Sequence, residues 1–125
     1  MSILLDSDVV IEILRSRNEA VLSRWESLSK TEEVIFFSSI TAAEVWGGAH
    51  PNEREATSRF FNFITCIPLD YSIGQVAGGL LRQFSKSHGL KIADALIAAT
   101  AIHFKAVLWT RNHKHYPMPQ LTFFA

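Results

Sequence analysis

Three carboxylates in this chain occupy positions where an acid needs a reason. Asp6 abruptly ends the apolar run Ile3-Leu4-Leu5. Glu44 closes Thr41-Ala42-Ala43-Glu44, which reads as the opening of a helix behind a second apolar strand. Asp94 lies in Ile92-Ala93-Asp94-Ala95-Leu96-Ile97-Ala98-Ala99, where nearly every neighbour is small or apolar. An ionised carboxylate in such surroundings is costly to bury unless a cation or hydrogen-bond donors compensate it. Acids converging on one sheet edge suit a hard, oxygen-liking ion, Mg²⁺ or Mn²⁺. An ion held this way can activate water and stabilise the charge of a phosphoryl-transfer transition state.

Each acid also has a purely structural role open to it. Asp6 can cap the helix that follows it, and Asp94 can be the cap or first-turn acid of its own helix, favoured by the helix dipole. Thr41-x-x-Glu44 fits a capping box, which makes Glu44 the acid with the strongest structural explanation. Their joint placement, each opening a helix at a strand-rich edge, says more than any one of them.

The segment Thr110-Arg111-Asn112-His113-Lys114-His115-Tyr116-Pro117 follows an apolar strand and is expected at the same edge. Thr110 and Asn112 offer neutral oxygens to a hydrated ion or a phosphate. Arg111, His113, Lys114 and His115 add local positive charge, useful against a phosphate backbone and equally at home in a solvated loop. His113-x-His115 lacks a Cys or a third His at ligand spacing, so no structural zinc site is expected.

The elements that must place these residues follow from the pattern. Ile3–Leu5 reads as a short buried strand, with Asp8 as a candidate cap of the helix carrying Val10, Ile11 and Leu14. Asn18 caps a second helix striped by Val21, Leu22, Trp25 and Leu28. Val34–Phe37 is a second strand. The helix opened by Thr41 closes at Gly47-Gly48, before Pro51. Asn52 starts a longer helix with Ala56, Phe60, Phe61, Phe63 and Ile64 on its apolar face. Residues 66–70 form a third strand, which Pro68 confines to an edge or a strand end.

Ser72 caps a helix to about Ser87, with Val76, Leu80, Leu81 and Phe84 inward. Gly78-Gly79 within it predict close packing against a neighbour. Helix 92–104, strand 107–109 and a last strand over 121–124 complete the order. Strands alternating with helices imply one domain, 1–125, with a mainly parallel sheet covered on both faces.

Composition agrees and narrows the function. In 125 residues, 48% are hydrophobic and 19% charged, as expected for a globular chain able to bury its own core. Twelve basic residues balance 12 acidic ones, so any contact with nucleic acid must come from a local patch. Cys66 stands alone in an apolar context and is expected to be buried. No positively charged segment leads into a long apolar stretch near Met1, and 90–104 is too short and too charged to span a bilayer. A cytoplasmic location is the expectation.

Four blocks, in order, resemble PIN-domain ribonucleases and most closely the VapC-type toxins of bacterial toxin–antitoxin pairs. Leu4-Leu5-Asp6-Ser7-Asp8-Val9-Val10-Ile11 looks like the family's LLDTNVLI. Residues Ser38 to Gly48 are similar to its SSIT-x-x-E-x-x-x-G block. Ile92 to Ala101 match IADALIAATA, and Thr110 to Tyr116 match TRN-x-KHF. The resemblance implies a three-layer α/β/α fold and a Mg²⁺- or Mn²⁺-dependent endoribonuclease that cleaves RNA. It also implies neutralisation by a cognate VapB-like antitoxin, and homodimers.

It carries metal-site roles onto Asp6, Glu44 and Asp94. Many members have a fourth acid where Asn112 or His115 stands here, so a second ion would be held more weakly, and Asn112 is left to ligate or orient water. Thr110, Arg111 and His115 become candidate phosphate contacts.

Two other readings compete. The departure at Asn112 and His115 admits a PIN domain that binds RNA or a partner without cutting. Asp6-Ser7-Asp8-Val9 also matches the D-x-D-x-V signature of dehalogenase-like phosphohydrolases, in which Asp6 would be a covalent nucleophile.

Overall fold

The computed structural model describes residues 1–124. Four strands, β1 (Ser2–Leu5), β2 (Val34–Ser38), β3 (Thr65–Ile67) and β4 (Val107–Trp109), form one sheet in the order β3-β2-β1-β4. Every neighbouring pair is parallel, with Leu5 opposite Phe37 on one side and Trp109 on the other. Parallel neighbours require crossovers, and six helices supply the covering layers: α1 (Ser7–Arg15), α2 (Glu19–Ser29), α3 (Ser39–Gly48), α4 (Arg54–Phe63), α5 (Tyr71–His88) and α6 (Ile92–Phe104).

The alternation of side chains along β1 divides the interior in two. Leu4 faces a cluster with Ile73, Leu80 and Phe84 of α5 and Ile97 and Ala98 of α6. Ile3 and Leu5 face the other cluster, with Val9, Val10 and Ile13 of α1, Val21 and Leu28 of α2, and Phe60 of α4. Ile3, Leu4 and Leu5 are fully buried, each contributing about 2 kcal/mol by removal of apolar surface from water. That explains why β1 reads as a continuous apolar run.

Helix starts differ from the sequence reading wherever two capping residues compete. Asp6, not Asp8, is the N-cap of α1; its Oδ1 accepts from the Ser7 backbone N–H at 2.7 Å. Ser38, not Thr41, caps α3 by accepting from Ile40 N–H, which places Thr41 and Glu44 inside the helix and removes the capping box. Asp70, not Ser72, caps α5 through Ile73 N–H at 3.0 Å. Asn52 lies in a short 3-10 turn, Pro51–Glu53, that precedes α4.

Four other expectations are corrected. A Cβ built on Gly78 or Gly79 would meet nothing within 4 Å, so neither glycine makes room for a neighbour. Cys66 is exposed, because β3 is the edge strand and leaves that side chain outside both clusters. On α4, Thr57 and Phe60 are buried while Phe63 is 66% exposed, so its apolar face is narrower than its apolar sequence. In place of a last strand, Phe123 makes an isolated parallel bridge to Leu108, held by Leu108 N–H to Thr122 O and Phe124 N–H to Leu108 O, both 2.8 Å. No helix among the described residues is long and apolar enough to cross a membrane.

Candidate active site

From β1 the chain builds β2 and then β3 to one side, and later returns to place β4 on the other. The carboxyl ends of β1 and β4 therefore flank the point where strand order reverses, the usual ligand crevice of open parallel sheets. Asp6 follows β1, and Thr110 follows β4. The Asp6 N–H donates to Trp109 O at 2.9 Å, extending the ladder by one bond and fixing Asp6 against Thr110.

Asp6 is 7% exposed and richly bonded. Its Oδ1 accepts from Ser7 N–H; its Oδ2 accepts from the Thr110 hydroxyl at 2.8 Å and the Tyr116 hydroxyl at 2.7 Å. The cap reading and the site reading of Asp6 are thus both true, one for each oxygen. The same Tyr116 hydroxyl lies 3.4 Å from Asp94 Oδ1. Asp94, in the first turn of α6, thereby joins Asp6 at a shared atom. Burial, and next the Asp6 charge, push the Asp94 carboxyl up from its ordinary value. Burial likewise pushes the Tyr116 phenol up, with the Asp6 charge second, so the hydroxyl keeps its proton.

Glu44 stands one contact away. The Ser7 hydroxyl donates to Glu44 Oε1, and Thr41 Oγ1 lies 3.4 Å from the same hydroxyl, tying α1 to α3. His115 Nδ1 is 3.8 Å from Asp94 Oδ2. Its ring is exposed beside that carboxylate.

Asp8 belongs to the frame of the site. Its Oδ2 accepts from Arg111 N–H and from the Asn112 side-chain amide, each at 3.0 Å. Burial, with the Asp6 charge second, raises Asp8 to about 6. Its Oδ1 is buried with no hydrogen-bond partner. Arg111 also pairs with Glu12 Oε1 at 3.3 Å. Thr110 is 4% exposed with its hydroxyl committed to Asp6, so it holds a carboxylate rather than a phosphate. Asn112 faces Asp8, and the side chains of Arg111 and His115 are exposed.

The donor set fits a divalent ion in its chemistry. Asp6 and Asp94 flank a common point with carboxylate oxygens, and Mg²⁺ often takes only one or two protein carboxylates, completing its shell with water and phosphate. An unpartnered carboxylate oxygen of Asp8 adds to the negative potential beside them. As the side chains stand, no three His, Cys, Asp or Glu among the described residues are grouped closely enough to hold one ion. Glu44 is bonded to the Ser7 hydroxyl, next along the chain from Asp6.

The contacts of Tyr116 and Ser7, and the attachment of Asp8 to Arg111 and Asn112, are absent from the sequence pattern. The available signal was an aromatic closing an otherwise polar run, a pattern that points to an anchor rather than a solvated loop.

Residues 3–119 match the PIN domain family. The chain belongs to it. Relatives of this PIN domain include ribonuclease VapC19 of Mycobacterium tuberculosis, 32% identical over 92% of each chain. Ribonuclease VapC10 of the same organism is 34% identical, over 93% of this chain and 86% of its own. The crystal structure of VapBC2 from Rickettsia felis bound to a promoter DNA fragment superposes with a TM-score of 0.83 at 25% identity, covering 99% of this chain and 98% of the other. A toxin–antitoxin complex from Klebsiella pneumoniae superposes at 0.76 with 26% identity, covering 95% and 94%. The PIN assignment replaces the phosphohydrolase reading. Asp8, which that reading needs as an acid beside Asp6, is turned to Arg111 and Asn112.

Proposed function

We propose that this chain is the ribonuclease toxin of a toxin–antitoxin pair, cleaving RNA with Mg²⁺ or Mn²⁺ held between Asp6 and Asp94. The observation that carries the reading is that these two acids, one following β1 and one in α6, come within hydrogen-bond reach of one hydroxyl at the switch point of the sheet. The ribonuclease names of the VapC relatives and the antitoxin-bound state of the structural neighbours support the rest. A cognate VapB-like antitoxin and a homodimer are the assembly the reading implies.

The divalent ion would supply a Lewis acid for phosphodiester oxygens and offset charge that develops during phosphoryl transfer. The chain's own residues do the positioning. Ser7 N–H and Thr110 fix the rotamer of Asp6; Ser7 holds Glu44 beside it. Asp8 and Glu12 restrain the loop that carries His115 to the side of Asp94. His115 and Arg111 present positive charge to the RNA backbone.

Purified protein should cleave RNA in Mn²⁺ or Mg²⁺, and Asp6→Asn or Asp94→Asn should slow cleavage by about 100-fold or more. No cleavage by the wild type across several RNAs would defeat the nuclease reading. Expression alone should arrest bacterial growth, with relief by Asp6→Ala. A second reading, RNA binding without cutting, is favoured by the lack of a three-carboxylate group among the described residues. Retained RNA affinity without metal-dependent cleavage would select it.

A further inference from the structure

The Tyr116 hydroxyl is the atom that lies within hydrogen-bond reach of both Asp6 and Asp94. We propose that it is a placeholder for the divalent cation, occupying the bonding position between the two carboxylates so that an ion seats there only by displacing it. The inference rests on the ion site proposed above and concerns what competes for it.

Counting acceptor positions makes the competition concrete. A carboxylate offers about four lone-pair directions. Asp6 uses one on Oδ1 for Ser7 N–H and two on Oδ2 for Thr110 and Tyr116. The Oδ2 side, which faces Asp94 through Tyr116, is therefore filled. Thr110 is anchored twice, since its hydroxyl oxygen also accepts from Asn112 N–H at 3.1 Å. Tyr116 has a single strong bond there, at 2.7 Å, and a long second contact to Asp94. It is the donor that yields.

Packing of the ring sets the hydroxyl at this position when no ion competes for it. Tyr116 is 3% exposed and packs in the core cluster with Met118, Ala95 and Leu108. In the absence of an ion, the O–H dipole partly offsets two carboxylates that would otherwise face each other directly. A cation does the same with a full charge. A bond present only without the ion lowers apparent ion affinity by the weight of the state it stabilises. Deleting the hydroxyl should tighten ion binding and weaken the ion-free fold by the same amount.

Tyr116→Phe removes the hydroxyl and keeps the ring. Calorimetric titration with Mn²⁺ should give an affinity about tenfold higher in Tyr116→Phe than in wild type, the scale of one hydrogen bond to a charged group. Without divalent ions the variant should melt about 4 °C lower, and the two melting temperatures should converge at saturating Mn²⁺. Equal or weaker Mn²⁺ binding in the variant overturns the placeholder and leaves the ion site standing. No Mn²⁺ binding in either protein, or binding that survives Asp94→Asn in both backgrounds, overturns the site and the placeholder together.

Discussion

The side-chain amide of Asn112 donates to Asp8 Oδ2 at 3.0 Å, across 104 residues of sequence. The neighbouring Arg111 N–H donates to the same oxygen, and Arg111's guanidinium reaches Glu12 on the next turns of α1. With Thr110 on Asp6, three successive residues of the loop after β4 are each fastened to an acid at the start of α1. Asp6, Asp8 and Glu12 thus act as a seam that closes the two strands flanking the crevice.

Asp8 makes stability depend on pH. Its folded-state value, about 6, lies above the ordinary 3.8, so the folded chain binds this proton more tightly than the unfolded chain does. The cost of the ionised carboxyl is present above about pH 6 and fades as pH falls towards 3.8. Asp94 is shifted in the same direction. In urea unfolding without divalent ions, Asp8→Asn should therefore gain stability relative to wild type at pH 7 and lose that advantage at pH 4. A wild-type-minus-variant difference that is flat across this range would show that Asp8 is not raised.

Thr110→Val tests the other end of the seam. The two side chains are nearly isosteric, so the change removes an O–H donor from a buried carboxylate with little change in packing. The loss should be about 2 kcal/mol in urea unfolding. RNA cleavage should also fall, because Asp6 loses a bond that sets its rotamer. Unchanged stability would mean that Asp6 is held by Tyr116 and Ser7 N–H alone.

How far this was legible in the sequence depended on whether the signal was local. β1, β4 and α6 were readable because their apolar runs are bounded by abrupt polar steps, and Asp6 and Asp94 stand out against the same runs. Helix starts went wrong at Ser38/Thr41 and Asp70/Ser72, and the choice between Asp6 and Asp8 stayed open. In each case two good capping residues lie within three positions, and backbone geometry chose the earlier one.

The seam and Tyr116 were out of reach for a different reason. Asp8–Asn112 and Tyr116–Asp6 join residues more than 100 positions apart, and nothing in either local pattern marks the partner. Glu44 was legible as an acid near the edge. Its attachment to Ser7 depends on the crossing of α1 and α3, which no linear spacing encodes.

Glycines in α5 offer a test of packing against propensity. Gly78 and Gly79 lie within the helix, with open space where a Cβ would go. Alanine at either should raise stability by about 0.5–1 kcal/mol through helix propensity alone. Gly89 is the contrasting case, since it ends α5 at φ 64, in the left-handed region. Gly89→Ala should destabilise by about 1 kcal/mol. Thermal melts of the three variants should fall on opposite sides of wild type; a loss at Gly78 or Gly79 would reveal a packing role that the open space denies.

Glu12→Gln asks whether the seam behaves as one unit. Glu12 is buried, and its Oε1 takes Arg17 at 2.7 Å and Arg111 at 3.3 Å. Removing its charge should cost about 1 kcal/mol, less at high salt because both guanidiniums are substantially exposed. Asp8 restrains the backbone of the same Arg111 whose side chain Glu12 restrains. Loosening either contact frees part of what the other holds, so the effect of each substitution should depend on whether the other is present. A double-mutant cycle of Asp8→Asn and Glu12→Gln should therefore be non-additive by about 0.5 kcal/mol or more. Strict additivity would mean that the loop after β4 is pinned at independent points, and that His115 reaches the crevice without the help of α1.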